Sequence, residues 1–144
     1  TKKSILAKFK FDEKLKRYSL KEDVDLSYRI SKSHPKSLYI TPYAKVTHNV
    51  SQEGRLPKRV RSEMQEIYTL YFFYKNIDQT LKNKLIHLWN IIGKMMINIF
   101  SLFLMPSKCR FFRLKYQIGA YSVCRKHLSE IKNGDLEFFN KQLS

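Results

Sequence analysis

The sequence predicts a mostly α-helical chain of α/β type, with one or two short strands and an apolar helical tail. Three patterns predict it: apolar residues at helical spacing over 58–76, a period-two stretch within 38–50, and a long apolar run over 85–105. With 144 residues the chain can bury one modest core and not two large ones. It begins at Thr1, with no initiator Met and no signal-peptide apolar stretch, so it is expected to be a piece of something longer.

Twenty-eight Lys and Arg against twelve Asp and Glu leave a net charge of +16. Such a charge argues against a neutral, freely diffusing enzyme and for an anionic partner, either nucleic acid or anionic lipid. Cys109 and Cys124 stand far apart, and His34, His48, His87 and His127 form no ligand pair, so a reducing compartment without structural zinc is expected.

Ser19 and Glu22 have capping-box spacing and predict a helix from about Leu20 to Lys32, with Glu22, Asp23 and Asp25 in its first turns. After His34-Pro35, residues Leu38 to Val50 alternate: Ala44, Val46, His48 and Val50 fall on one face, and Lys45, Thr47 and Asn49 on the other. One or two short strands are expected there, interrupted near Pro42. Ser51 to Pro57 carries Gly54 and Arg55 without periodicity and reads as a loop or lid.

From Lys58 to about Asn76, the spacing of Val60, Met64, Ile67, Tyr71 and Tyr74 predicts an amphipathic helix. Lys58, Arg59 and Arg61 crowd its start, where the helix dipole disfavours cations and an external anion would offset them. A solvated basic turn would have the same sequence. Asp78 is the expected N-cap of a helix containing the apolar run Leu85 to Met105. His87, Asn90, Lys94, Asn98 and Ser101 form one narrow polar stripe within that run.

The run is long enough to span a bilayer, which takes about 20 residues. Against spanning, Lys94 at mid-bilayer would cost about 3 kcal/mol. Lys82 and Lys84 before the run and Lys108, Arg110, Arg113 and Lys115 after it also give no charge asymmetry to orient a span. The favoured reading is an interfacial or re-entrant helix, with a buried core helix as the alternative. A last helix is expected with Leu114, Ile118, Tyr121, Cys124, Leu128 and Ile131 on one face, stopped by Asn133-Gly134. Two regions follow, 1–77 and 78–144, the second associating with a membrane.

The run Phe11-Asp12-Glu13-Lys14-Leu15-Lys16-Arg17-Tyr18, followed by Glu22-Asp23-Val24-Asp25-Leu26-Ser27-Tyr28-Arg29, resembles a segment of family 2 glycosyltransferases. In that family it reads approximately F-D-E-x-L-x-x-Y, a gap, then E-D-x-D-L-x-x-R. Pro42, Val46 and His48 look like the family's next strand, P-x-A-x-V-x-H. The resemblance covers Phe11 to about Asn76. It implies a GT-A fold of which the donor-binding half is missing. The implied activity is inverting transfer of a sugar from a nucleotide-diphosphate donor to the hydroxyl of a glycan or lipid-linked acceptor, in cell-surface glycan or glycolipid synthesis.

By the family pattern Asp23 is the general base, since the acceptor oxygen must lose a proton as it attacks. Glu22 either shares in this chemistry or only closes the capping box. Asp25, Arg29, Arg55 and Arg59 are the implied substrate contacts, and Arg55, Arg59 and Arg61 could clamp the diphosphate. Asp23-Val24-Asp25 spells the D-x-D of a metal site, but here it opens a helix, whereas the family's metal motif ends a strand. The resemblance implies a divalent metal, Mg or Mn, held mainly by the missing half. His48 is either a further ligand or a hydrogen-bonded core residue.

The implied place is the cytoplasmic face of a membrane, peripheral or re-entrant, on an anionic lipid surface. A basic nucleic-acid-binding module, or a non-catalytic membrane adaptor, would explain the charge or the tail. Both leave the acidic cluster unexplained, and nucleic acid is set aside as a partner.

Overall fold

The computed structural model describes residues 3–17, 20–39, 41–43, 45, 47 and 56–143. Among them every regular element is helical: α1 (Lys3–Leu6), α2 (Glu22–Ser33), α3 (Lys58–Asn76), α4 (Leu81–Leu104), α5 (Lys108–Lys126), α6 (Leu128–Lys132) and α7 (Glu137–Asn140). The α/β, GT-A expectation is therefore overturned. The described residues of the 38–50 stretch, Leu38, Tyr39, Thr41–Tyr43, Lys45 and Thr47, lie in no strand. The physical reason is the lack of a partner: alternation supplies a face, but a strand also needs a neighbour for its N–H and C=O groups, and none of the described segments offers one. Ala44, Val46, His48 and Val50 lie outside the described residues, as do Gly54 and Arg55 of the expected loop.

The core forms around α3, whose Met64, Ile67, Tyr68 and Tyr71 are buried. They pack with Leu15 from the N-terminal segment and with Cys124, Ile131, Leu136, Phe139 and Leu143 from the C-terminal end, so the core draws on both sides of position 77. Polar ties hold the same junction. The Tyr68 hydroxyl donates to Asn140 Oδ1 at 3.0 Å and accepts from the Lys16 N–H at 3.1 Å, and Asn140 Nδ2 donates to the Lys14 carbonyl at 2.9 Å. The buried Tyr68 hydroxyl and Asn140 amide thus have partners, which avoids the penalty of an unmet donor or acceptor at this junction.

Helix α3 packs mainly on α5, and α5 also on α4. The loop between α3 and α4 is short, so these two run antiparallel. Helix α5 reverses again, and the N-termini of α3 and α5 lie at one end of the bundle with the C-terminus of α4.

Local signals explain several boundaries. Helix α2 opens after Lys21, which has φ 80°, so Glu22 is the first helical residue and not the third that the capping box requires. Three carboxylates in that first turn, Glu22, Asp23 and Asp25, suit the positive end of the dipole. Thr80, not Asp78, caps α4, its hydroxyl accepting from the Asn83 N–H at 3.2 Å. The last expected helix breaks at His127 into α5 and α6, and Gly134 takes φ 73° at the stop. Helix α5 buries Gln117, Ala120 and Cys124, leaving Ile118 exposed, because Gln117 finds a partner in Asn98.

Candidate functional site

The acids of α2 divide into two groups. Asp25, 1% exposed, would be costly to bury as a lone charge, and three donors meet it. Arg29 Nε lies one turn on at 2.9 Å, Asn76 Nδ2 at 2.7 Å and Lys75 Nζ at 2.9 Å. Lys75 also reaches Asp12 at 2.6 Å, and Asp12 accepts further from the Tyr71 hydroxyl at 2.7 Å and the Lys14 N–H at 3.0 Å. One ammonium therefore joins two carboxylates from different segments. Burial pushes the Asp12 carboxyl up, but Lys75, Tyr71 and the Lys14 N–H outweigh it and hold the group below its ordinary 3.8. Burial, and then the Asp12 carboxylate, push the Tyr71 hydroxyl well above its ordinary range. Arg29 completes the brace by donating from Nη2 to the Lys10 carbonyl at 2.7 Å.

Glu22 and Asp23 lie just ahead of this brace, Glu22 half-buried and Asp23 exposed. Asp23 Oδ1 accepts from the Val24 N–H at 2.8 Å, and neither acid has an ion-pair partner among the described residues. The two carboxylates are thus open to a ligand on a helix end that Asp25, Arg29 and Lys75 hold in place.

The remaining expected contacts do not gather here. Arg59 pairs with Glu63 at 2.9 Å in the first turns of α3. Helix α2 instead meets the other end of α3, where Tyr28 and Phe72 lie edge to face at 5.5 Å and Lys32 reaches Asp78 at 3.6 Å. From Arg59 to Lys75 is 16 residues, about 24 Å along the helix. Arg55 and His48 lie outside the described residues. Among the described residues no three His, Cys, Asp or Glu side chains gather as a metal site. Sequence reasoning missed Lys75, Asn76 and the bracing role of Asp12. Asp12 stood inside the quoted motif, but Lys75-Asn76 reads only as a helix end.

The second feature is the inverted face of α4. Three members of its polar stripe turn inward, while Asn90 stays exposed: His87 stacks on Phe73 with ring centroids 4.2 Å apart, Lys94 meets Glu66 at 3.3 Å, and Asn98 donates to Gln117 at 2.6 Å. Its apolar stripe turns outward, with Leu85, Trp89, Ile92, Met96, Phe100 and Phe103 on one side of the helix. Trp89 is 72% and Phe103 82% exposed, and α4 has no buried residue. A helix packed on a soluble core shows the reverse pattern, apolar in and polar out. Among the described residues α4 is therefore not a buried core helix. By length and composition α4, at 24 residues, is also able to cross a membrane.

No family model matches the chain, and neither a curated protein nor a solved structure does.

Proposed function

We propose that this chain carries the acceptor-side chemistry of an inverting glycosyltransferase held on the cytoplasmic face of an anionic membrane, with Asp23 as general base. The observation that supports the chemistry is the division of labour among the acids. Asp25 is consumed by Arg29, Lys75 and Asn76, while Asp23, two positions before it, is exposed and has no ion-pair partner among the described residues. The resemblance of Phe11 to Arg29 to family 2 glycosyltransferases names the same residue.

In the proposed step the Asp23 carboxylate takes the proton of the acceptor hydroxyl. The freed oxygen bonds to the anomeric carbon, the bond from that carbon to the diphosphate breaks, and the nucleoside diphosphate leaves with the electron pair. Glu22 contributes a second carboxylate at the same helix end. Asp25 and Arg29 act by fixing the register of α2 under the substrate. The reading needs a donor-binding unit, and with it the divalent metal and the nucleotide sugar, beyond the described residues. Placement on lipid is supported by the outward apolar face of α4 together with the net charge of +16.

The test is release of nucleoside diphosphate by the full-length gene product from a panel of UDP-, GDP- and dTDP-sugars, with a membrane extract as the source of acceptor. Extract-dependent release from one donor class is expected. Equal release with and without extract across the whole panel would remove the proposal.

A further inference from the structure

A cavity of about 740 Å³ opens between α3, α4 and α5, at the end of the bundle away from the α2 acids. Four cations line it, Lys58 and Arg61 from α3, Lys94 from α4 and Arg113 from α5, against one acid, Glu66. Glu66 is already taken by Lys94 at 3.3 Å. Lys58, Arg61 and Arg113 have no ion-pair partner among the described residues, so three guanidinium or ammonium groups from two helices converge on one space without a counter-charge.

The backbone adds to the same field. The first turn of α3 contains no acid, and its N-cap is Pro57, which offers no side-chain acceptor, so among the described residues no side chain caps the N–H groups next to Lys58 and Arg61. Among the described residues the acids nearest this positive charge are already paired, Glu63 with Arg59 and Glu66 with Lys94. An anion in the cavity would offset it, and a phosphate matches both guanidinium forks and helix N–H groups.

The walls say what the anion is attached to. Ile97, 69% exposed, and Phe112 form an apolar margin of the cavity. Phe112 is shared with a second space of about 700 Å³, lined mostly by apolar groups including Leu102, Pro106 and Phe111. The cationic cavity thus shares the Phe112 wall with an apolar trough at the C-terminal end of α4. A free phosphate would use the first and leave the second empty; a phosphate on a hydrocarbon chain fills both.

We propose that this cavity binds the terminal phosphate of a single anionic amphiphile, with the phosphate among Lys58, Arg61 and Arg113 and the hydrocarbon along Phe112, Phe111 and Leu102. The site lies some 17 residues of α3, about 26 Å, from the Asp25–Lys75 brace, so the bound phosphate fixes the protein on the membrane and does not react. The proposal rests on the lipid-facing reading of α4 and not on glycosyl transfer.

The experiment is sedimentation of the full chain with neutral phosphatidylcholine vesicles containing either phosphatidic acid, a phosphomonoester, or phosphatidylglycerol, a phosphodiester, matched for surface potential. The wild-type chain is expected to favour phosphatidic acid by about tenfold, since a bidentate phosphate contact exceeds the roughly fivefold per cation of diffuse attraction. Arg61→Gln with Arg113→Gln, both on exposed side chains, should remove that preference. Lys82→Gln with Lys84→Gln, an equal loss of charge at the far end of α4, should weaken binding to both vesicles alike and keep the preference. Inorganic phosphate at the concentration of the phosphatidic acid should not displace the chain.

Equal binding of wild type to the two vesicles, or a preference that survives loss of Arg61 and Arg113, would overturn the site. Displacement by inorganic phosphate would overturn the amphiphile and leave a free-phosphate site. Binding to phosphatidylglycerol vesicles reports membrane attachment by itself in every arm, so failure of the site and failure of the membrane reading are told apart.

Discussion

The Asp25 carboxylate shows how one residue can be read in two ways from sequence and in one way from structure. Its motif position implies substrate contact, yet a carboxylate 1% exposed and bonded to Arg29, Lys75 and Asn76 acts on the position of α2. Replacing Asp25 by Ala leaves Arg29 and Lys75 facing a buried gap, and a loss of about 3 kcal/mol in urea-unfolding stability is expected. The Asp12 contact should give stability its own acid limb. Because the folded carboxyl lies below its ordinary 3.8, this contribution is complete above that value and is lost as pH falls through the lower folded one. Acid unfolding of Asp12→Asn, followed by circular dichroism, should therefore show a shallower fall in stability below about pH 4 than the parent. An unchanged slope would mean that Lys75 and Tyr71 do not hold the Asp12 charge. Only the Asp25–Arg29 pair has a local spacing, one helical turn; the rest of the bracing was not legible in the sequence, because Asp12, Asp25 and Lys75 lie 13 and 50 positions apart in succession and no periodicity links them.

At the scale of elements, legibility followed the strength of local pattern. The bounds of α3 were readable at both ends because its apolar spacing is unbroken from Val60 to Tyr74, and Pro57 before Lys58 marks its start. The polar stripe of α4 was equally readable, but periodicity gives a face and not the direction in which it points. Only the contacts of His87, Lys94 and Asn98 with α3 and α5 show that the stripe is turned inward. The expected strands failed for the opposite reason, since a period-two stretch without a neighbour satisfies no backbone group. The break at His127 was hidden because apolar residues keep helical spacing across it.

The inverted face gives a clean prediction. Replacing Trp89, Phe100 and Phe103 together by Ser should change folding stability by no more than about 0.5 kcal/mol per site, because these side chains touch no core. The same variant should lose most of its binding to anionic vesicles, measured by sedimentation. Unfolding of the variant in solution would place the face inside a core instead.

At the scale of the molecule, one body carries the half-buried Glu22 and exposed Asp23 at one end of α3, a cationic cavity at the other and an apolar face along α4. The C-terminal turns make this a single unit, since Phe139 is fully buried and meets Tyr68 edge to face at 6.0 Å. Phe139→Ala is expected to cost about 3–5 kcal/mol by chemical denaturation and to loosen the N-terminal segment along with the C-terminal one. That unit would present Asp23 to an acceptor at a membrane surface while cations and apolar side chains keep it there. The most direct measurement is turnover of the full-length gene product carrying Asp23→Asn, on membranes and with its preferred nucleotide sugar, set beside donor binding and thermal unfolding of the same variant. The substitution keeps the shape and removes the basicity, so turnover should fall by about 10²–10⁴ while donor binding and unfolding temperature stay close to the parent's. Turnover within about tenfold of the parent would contradict the role of Asp23, and with it the division of labour among the α2 acids that supports the proposal.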